Sequence, residues 1–162
     1  TLEPDLLADP PEAAKKLAER KAGAVVQEVL SENYLGMAAV LGADTMVVLD
    51  GEIFGKPVSL SDAKRMLRRL SGRDHQVMSG LTVLHGDDCE NLTVTTTLRM
   101  RPLSDEEIRA YIATGEPMDK AGAYGVQGFF ARYIKGLKGS YANVMGLPVS
   151  RLYQELKELN GI

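Results

Sequence analysis

Apolar residues along this chain recur with two different periods, and the switches between them outline its elements. After Pro10-Pro11, the run EAAKKLAERKAGAVVQEVL sets Leu17, Ala18, Ala22, Val25 and Val29 at helical intervals. That is the stripe of an amphipathic helix with proline in its first turn. Lys21 stands between Leu17 and Val25 at i+4 spacing, so the pattern points it along the buried stripe, where a snorkelling lysine is one reading. The period then changes. Val40-Leu41 and Met46 to Leu49 are β-rich, and Asp50-Gly51 is a type I′ hairpin signal. SLSDAKRMLRRLSG returns to helical spacing, with Ala63, Met66, Leu67 and Leu70 as its buried face. Ser59 and Asp62 make an acidic variant of a capping box, and Gly72 ends the helix.

HQVMSGLTVL and LTVTTTLRM follow as strands joined at HGDD; Leu92, Val94, Thr96, Leu98 and Met100 alternate strictly in the second. Ser104 with Glu107 predicts a capped helix carrying Ile108, Tyr111 and Ile112, stopped by Gly115. FFARYIKGLKGSYANVMG reads as short strands around turns, and Pro148 opens a final helix with Leu152, Leu156 and Leu159 inward. Strands and helices mix without βαβ alternation, so the expected class is an α/β domain with a mixed sheet.

Composition narrows the function classes. At 162 residues the chain fits one domain. Its net charge of −3, with both signs interspersed, gives no footprint for nucleic acid. No apolar run approaches the ~20 residues that cross a bilayer, so neither a membrane nor a nucleic-acid partner is expected. A single cysteine, Cys89, leaves no disulfide framework and suits a reducing cytoplasm. His75 and His85 read as surface residues, and without CxxC or HExxH a zinc site is not expected.

The candidate chemistry begins at GADT. Asp44 interrupts an apolar strand directly after Gly42-Ala43, residues that permit close approach of another group. A carboxylate there is costly unless it is paired or binds a metal, although an Asp at a strand break is an equal alternative. A two-residue turn at 50–51 would set Asp44 roughly opposite Ile53 to Lys56, so Asp44 and Lys56 would share one end of the sheet. Lys120 precedes the glycine-rich run DKAGAYGVQG, whose bare backbone suits an anion-binding nest. Three lysines (21, 56 and 120), such a nest and one isolated carboxylate suggest a polyphosphate site with a metal-binding acid. Neither a Walker loop nor a GxGxxG fingerprint is present.

GADTMVVLDGEIFGKP, AKRMLRRLSGRDHQVMSG, EPMDKAGAYGVQG and GSYANVMGLP stand in the order and spacing of the Maf family of nucleotide pyrophosphatases, and the resemblance runs from Lys21 to Leu156. It implies hydrolysis of a nucleoside triphosphate to the monophosphate and pyrophosphate with a divalent cation, and hydrated Mg²⁺ or Mn²⁺ fits an oxygen-only site. It also implies the elongated mixed α/β fold, a sheet flanked by helices, shared with inosine-triphosphate pyrophosphatases. By resemblance, Asp44 matches the acidic catalytic and metal-binding residue, and Lys21 and Lys56 match lysines around the phosphates. Asp119-Lys120 match a pair at the pocket wall, while Thr45 and Gln127 match positions that separate substrate subfamilies.

Members that hydrolyse 7-methyl-GTP resemble GSDQ and CAGSFKSEG at the last two places. GADT and DKAGAYGVQG resemble the dTTP/UTP pyrophosphatases instead. On that resemblance the glycines admit base and phosphates, and Gln127 reads a pyrimidine edge. Family members begin with a strand and a SASPRR-like phosphate loop, which this chain is expected to lack. Glu3, or a Glu before Thr1, would match a second acidic residue. A homodimer is compatible with the resemblance. A nucleotide-sensing module linked to septum formation and a 7-methyl-GTP pyrophosphatase stay open as alternatives.

Overall fold

The computed structural model describes residues 3–31 and 39–160. Helices α1 (Pro4–Leu7) and α2 (Pro10–Ser31) precede the hairpin β1 (Val40–Leu49) and β2 (Glu52–Phe54). Helix α3 (Leu60–Leu70) leads to β3 (Asp74–His85) and β4 (Asp88–Met100), then to α4 (Asp105–Ala113). Three 3₁₀ segments, Glu116–Asp119, Ala121–Ala123 and Gly128–Tyr133, precede β5 (Ile134–Lys138), α5 (Tyr141–Met145) and α6 (Val149–Asn160). The sheet has the order β2-β1-β3-β4-β5, with β1–β2 and β4–β5 antiparallel. The expected α/β class, helices around one sheet, is the class found.

Local signals produced local structure. Asp50 and Gly51 both take positive φ, 52° and 80°, as a type I′ turn requires. Ser104 and Glu107 form the reciprocal capping box. At α3 the Ser59 hydroxyl accepts from the Asp62 N–H, but the Asp62 carboxylate accepts from Val58 rather than from Ser59. An aspartate is one methylene shorter than the glutamate that closes a box.

The segment YANVM departs from expectation, forming α5 instead of a strand. In α2 the buried face is Ala13, Ala14, Ala18 and Ala22, whereas Leu17 is half-buried and Val25 is exposed. The side chain of Val29 lies outside the described residues. Small residues face inward because the backbone beneath them is glycine.

The chain divides into two compact units. The first comprises Thr1–Thr45, Met78–Val94 and Ala142–Ile162. Here α2 lies directly on two glycines of the sheet: a Cβ on Gly42 would fall 2.1 Å from the Ala18 carbonyl oxygen, and one on Gly80 would fall 1.9 Å from that of Ala14. Leu81, Val83 and Leu152 make a core to which Leu92, Leu156 and Leu159 add, so α6 buries the face its leucines predicted.

The second unit comprises Met46–Val77 and Thr95–Tyr141. Its core joins Ala63, Met66, Leu67 and Leu70 of α3 to an aromatic cluster of Tyr111, Tyr124, Phe130 and Tyr133. His75 is buried here, 3% exposed, contrary to the surface position expected of it. Its Nε2 lies 2.5 Å from the Tyr124 hydroxyl. A histidine two residues before Val77 on a strand faces the same side as that core residue, which placed it inside. Burial lowers its pKa to about 4, with the Asp74 charge opposing.

The folded pKa is thus depressed below the unfolded ~6.5. Stability from neutral His75 is complete above that value and is lost as pH falls towards 4. Wild type should lose about 3 kcal/mol more than His75→Gln between pH 7 and pH 4. Urea denaturation of both proteins at the two pH values measures this, and equal losses would show that His75 does not carry the effect.

Candidate active site

Asp44 sits in the middle of β1, where the sequence placed it, and is partly buried. Its environment is set by the glycine two residues before it. Because Gly42 lacks a Cβ, α2 crosses the strand at backbone contact, and its Ala18–Ala22 turn brings Lys21 alongside. The Lys21 ammonium pairs with Asp44 Oδ1 and also donates to the Ala43 carbonyl at 3.2 Å. Lys21 is 57% exposed, so it does not run along the buried stripe. The carboxylate in the apolar strand, expected to be paired or to bind a metal, is thus paired. No hydrogen bond among the described residues engages Oδ2.

Thr45, the next residue, turns its hydroxyl into a polar junction. Thr45 Oγ1 is 2.6 Å from Ser79 Oγ and 3.3 Å from the Gly146 carbonyl oxygen. Ser79 donates to the Asn143 carbonyl at 3.2 Å, and the Asn143 amide donates to Val94 at 3.1 Å. Ser79 and Asn143 are fully buried. Neither was singled out from sequence, although each lies in a motif (VMSG and YANVMG) that carries the family resemblance.

The second unit holds the remaining candidates. Gly55 accepts from the Gly122 N–H at 3.0 Å, which ties the GKP turn carrying Lys56 to the glycine-rich stretch. Lys120 Nζ donates to Asp119 Oδ1 at 3.0 Å. That bond and the Lys120 charge hold the Asp119 carboxyl below the usual range, with a smaller pull from Lys56. Lys56 and Lys120 therefore both act on Asp119. Gln127 is exposed and precedes the 3₁₀ segment without capping it by its side chain.

The expected cross-strand pairing of Asp44 with Ile53 to Lys56 is not made. The β1–β2 ladder ends at Val47–Phe54. A ladder of this register would reach Asp44 only beyond Lys56, and β2 is over by then.

The three glycines of DKAGAYGVQG answer to packing inside the protein. Val47 methyl carbons lie 3.0 Å from a Cβ built on Gly122, and the Lys120 stem lies 2.9 Å from one on Gly125. Both Glu116 carboxylate oxygens crowd Gly128, at 3.2 and 3.4 Å. Gly122 and Gly128 also take positive φ, 69° and 74°. One Glu116 oxygen, Oε2, is buried there without a hydrogen-bond partner. Nearby Tyr111 is raised to about 12, chiefly by burial.

As to metal ligands, the described residues contain no group of three or more His, Cys, Asp or Glu able to hold an ion. Glu3 is at the N-cap of α1, its carbonyl accepting from Leu6 and Leu7. No helix among the described residues is long and apolar enough to cross a membrane.

Comparison with known proteins agrees with the motifs. A family described as Maf-like protein matches residues 2–159. A protein of Symbiobacterium thermophilum named dTTP/UTP pyrophosphatase is 50% identical over 149 residues, covering 92% of this chain and 74% of that one. One of the same name from Bacillus velezensis is 49% identical over 93% of this chain and 77% of its own length. Another from Koribacter versatilis is 46% identical over 92% and 74%.

Proposed function

The chain belongs to the Maf-like family, and from that premise we propose that it hydrolyses dTTP and UTP to the nucleoside monophosphate and pyrophosphate. The observation that carries the reading is the Asp44–Lys21 pair, a carboxylate and an ammonium held together by backbone contact of α2 with β1. It occurs in a chain half identical to proteins of that name.

In the reaction, water attacks the α-phosphorus. Its oxygen forms the new P–O bond, the α–β bridging P–O bond breaks, and pyrophosphate leaves with the electron pair. Asp44 takes the proton of the water through Oδ2 while Lys21 holds Oδ1 in place. Lys56 and Lys120 are ammonium point charges suited to phosphate oxygens, and Asp119 steadies Lys120.

A single carboxylate fits Mg²⁺ or Mn²⁺, which take one or two carboxylates, substrate phosphates and water, and it does not suit zinc. Asp44 would hold such an ion. When bound, the ion supplies charge neutralisation to the phosphate oxygens.

Thymine and uracil present an N3–H donor between two carbonyls, and cytosine replaces one carbonyl with an amine. The Gln127 amide offers one donor and one acceptor face to such an edge. The test is pyrophosphate release, with Mg²⁺ or Mn²⁺, across a panel of dTTP, UTP, dCTP, GTP and 7-methyl-GTP. The first two should be cleaved on the order of a hundredfold better in kcat/KM than the rest, and Gln127→Leu should narrow the gap between dTTP and dCTP. Tight nucleotide binding with no release would favour the sensing module. Preferred cleavage of 7-methyl-GTP would overturn the substrate assignment and leave the hydrolase.

A further inference from the structure

The hydroxyl junction at Thr45 has a property that follows from counting its protons. Four oxygens meet there: two hydroxyls, Thr45 and Ser79, and two main-chain carbonyls, Asn143 and Gly146. Carbonyls only accept, so the two hydroxyl protons must serve three contacts. Two orders satisfy the geometry. Thr45 donates to Ser79 at 2.6 Å while Ser79 donates to Asn143 at 3.2 Å; or Ser79 donates to Thr45 while Thr45 donates to Gly146 at 3.3 Å. In both, the Thr45 proton is engaged by the protein. What remains on Thr45, the half-buried member of the pair, is a lone pair.

Resting on the nucleotide reading above, we propose that Ser79 is a positioning residue that makes Thr45 a hydrogen-bond acceptor, so that this position selects substrates offering an N–H or O–H donor. Ser79 is suited to the task because it is enclosed. It is fully buried, and at the adjoining Gly80 the Ala14 carbonyl fills the place of a side chain. Gly146, at φ 118°, turns the second carbonyl toward Thr45. With Ser79 absent, the short 2.6 Å contact is gone and only the longer bond to Gly146 restrains the Thr45 proton. The hydroxyl can then turn away from that longer bond and donate to a substrate.

A pyrimidine nucleotide carries two groups of the required kind, the base imide N3–H and the sugar hydroxyls, and blocked analogues separate them. The kcat/KM for pyrophosphate release would be measured on dTTP, N3-methyl-dTTP and 2′,3′-dideoxythymidine triphosphate, with Kd for each alongside. The proteins are wild type, Ser79→Ala, Ser79→Thr, Thr45→Val and the Thr45→Val/Ser79→Ala double variant.

Wild type should discriminate against at least one analogue by about tenfold or more. Because Gln127 also faces the N3–H edge, the analogue whose loss depends on Ser79 identifies the donor to Thr45, N3-methyl the base and dideoxy the sugar. Ser79→Ala should bring that ratio most of the way to one, and Ser79→Thr should restore it. The double variant should match Thr45→Val alone, because Ser79 acts through Thr45. An unchanged ratio in Ser79→Ala, or equal use of all three nucleotides by wild type, overturns the inference. If no nucleotide releases pyrophosphate while all bind, the hydrolase reading falls and the Kd ratios decide this one.

Discussion

Asp44→Asn is expected to lower turnover of dTTP by at least about a hundredfold, at the lower end of what loss of a general base costs, without unfolding the protein. The substitution preserves shape and leaves an amide oxygen for Lys21, but it removes both the proton acceptor and the negative charge that would hold a cation. Stability should change little. Lys21 is 57% exposed and Asp44 keeps 22% of its side chain in contact with solvent, and pairs of this kind contribute at most about 1 kcal/mol. Single-turnover kinetics with a thermal melt on the same preparation separates the two effects. A variant that melts normally and retains a near wild-type rate would remove Asp44 from the chemistry.

Gly42→Ala should do the opposite, acting first on the fold. The added methyl would sit 2.1 Å from the Ala18 carbonyl oxygen and 2.7 Å from the Ala22 nitrogen, both main-chain atoms of α2. No rotamer change relieves such a contact, so the helix must move away from the strand. Overpacking costs about 1–3 kcal/mol even where side chains can give, and here the cost should reach the top of that range or exceed it. For a chain of this size that corresponds to a melting temperature lower by about 10 °C. Activity should fall as well, since α2 carries Lys21. A melting temperature within about 2 °C of wild type would show that α2 does not rest on Gly42.

Elements whose code is written in a few adjacent residues were legible from the chain alone. The Asp50-Gly51 turn, the Ser104–Glu107 box and the inward leucines of α6 each depend on neighbours within one or two turns. Asp44 also declared itself, as a carboxylate in an apolar strand. The substrate class came from motif resemblance, which carries over chemistry that spacing by itself leaves undetermined.

Nonlocal contacts decided the rest. Helical periodicity put Lys21 on the stripe with Leu17 and Val25. The true inward face of α2 is its alanines, because the surface below is bare backbone at Gly42 and Gly80. The glycines of DKAGAYGVQG looked like room for a ligand, yet the space at Gly122 and Gly128 is taken by Val47 and Glu116, which lie outside that run. The junction of Thr45, Ser79, Asn143 and Gly146 spans residues up to 101 positions apart. Hydroxyl groups carry no sequence signal for the partner that will take their proton. Periodicity reports which side of an element faces inward, whereas the partner waiting there is chosen by how the chain closes on itself.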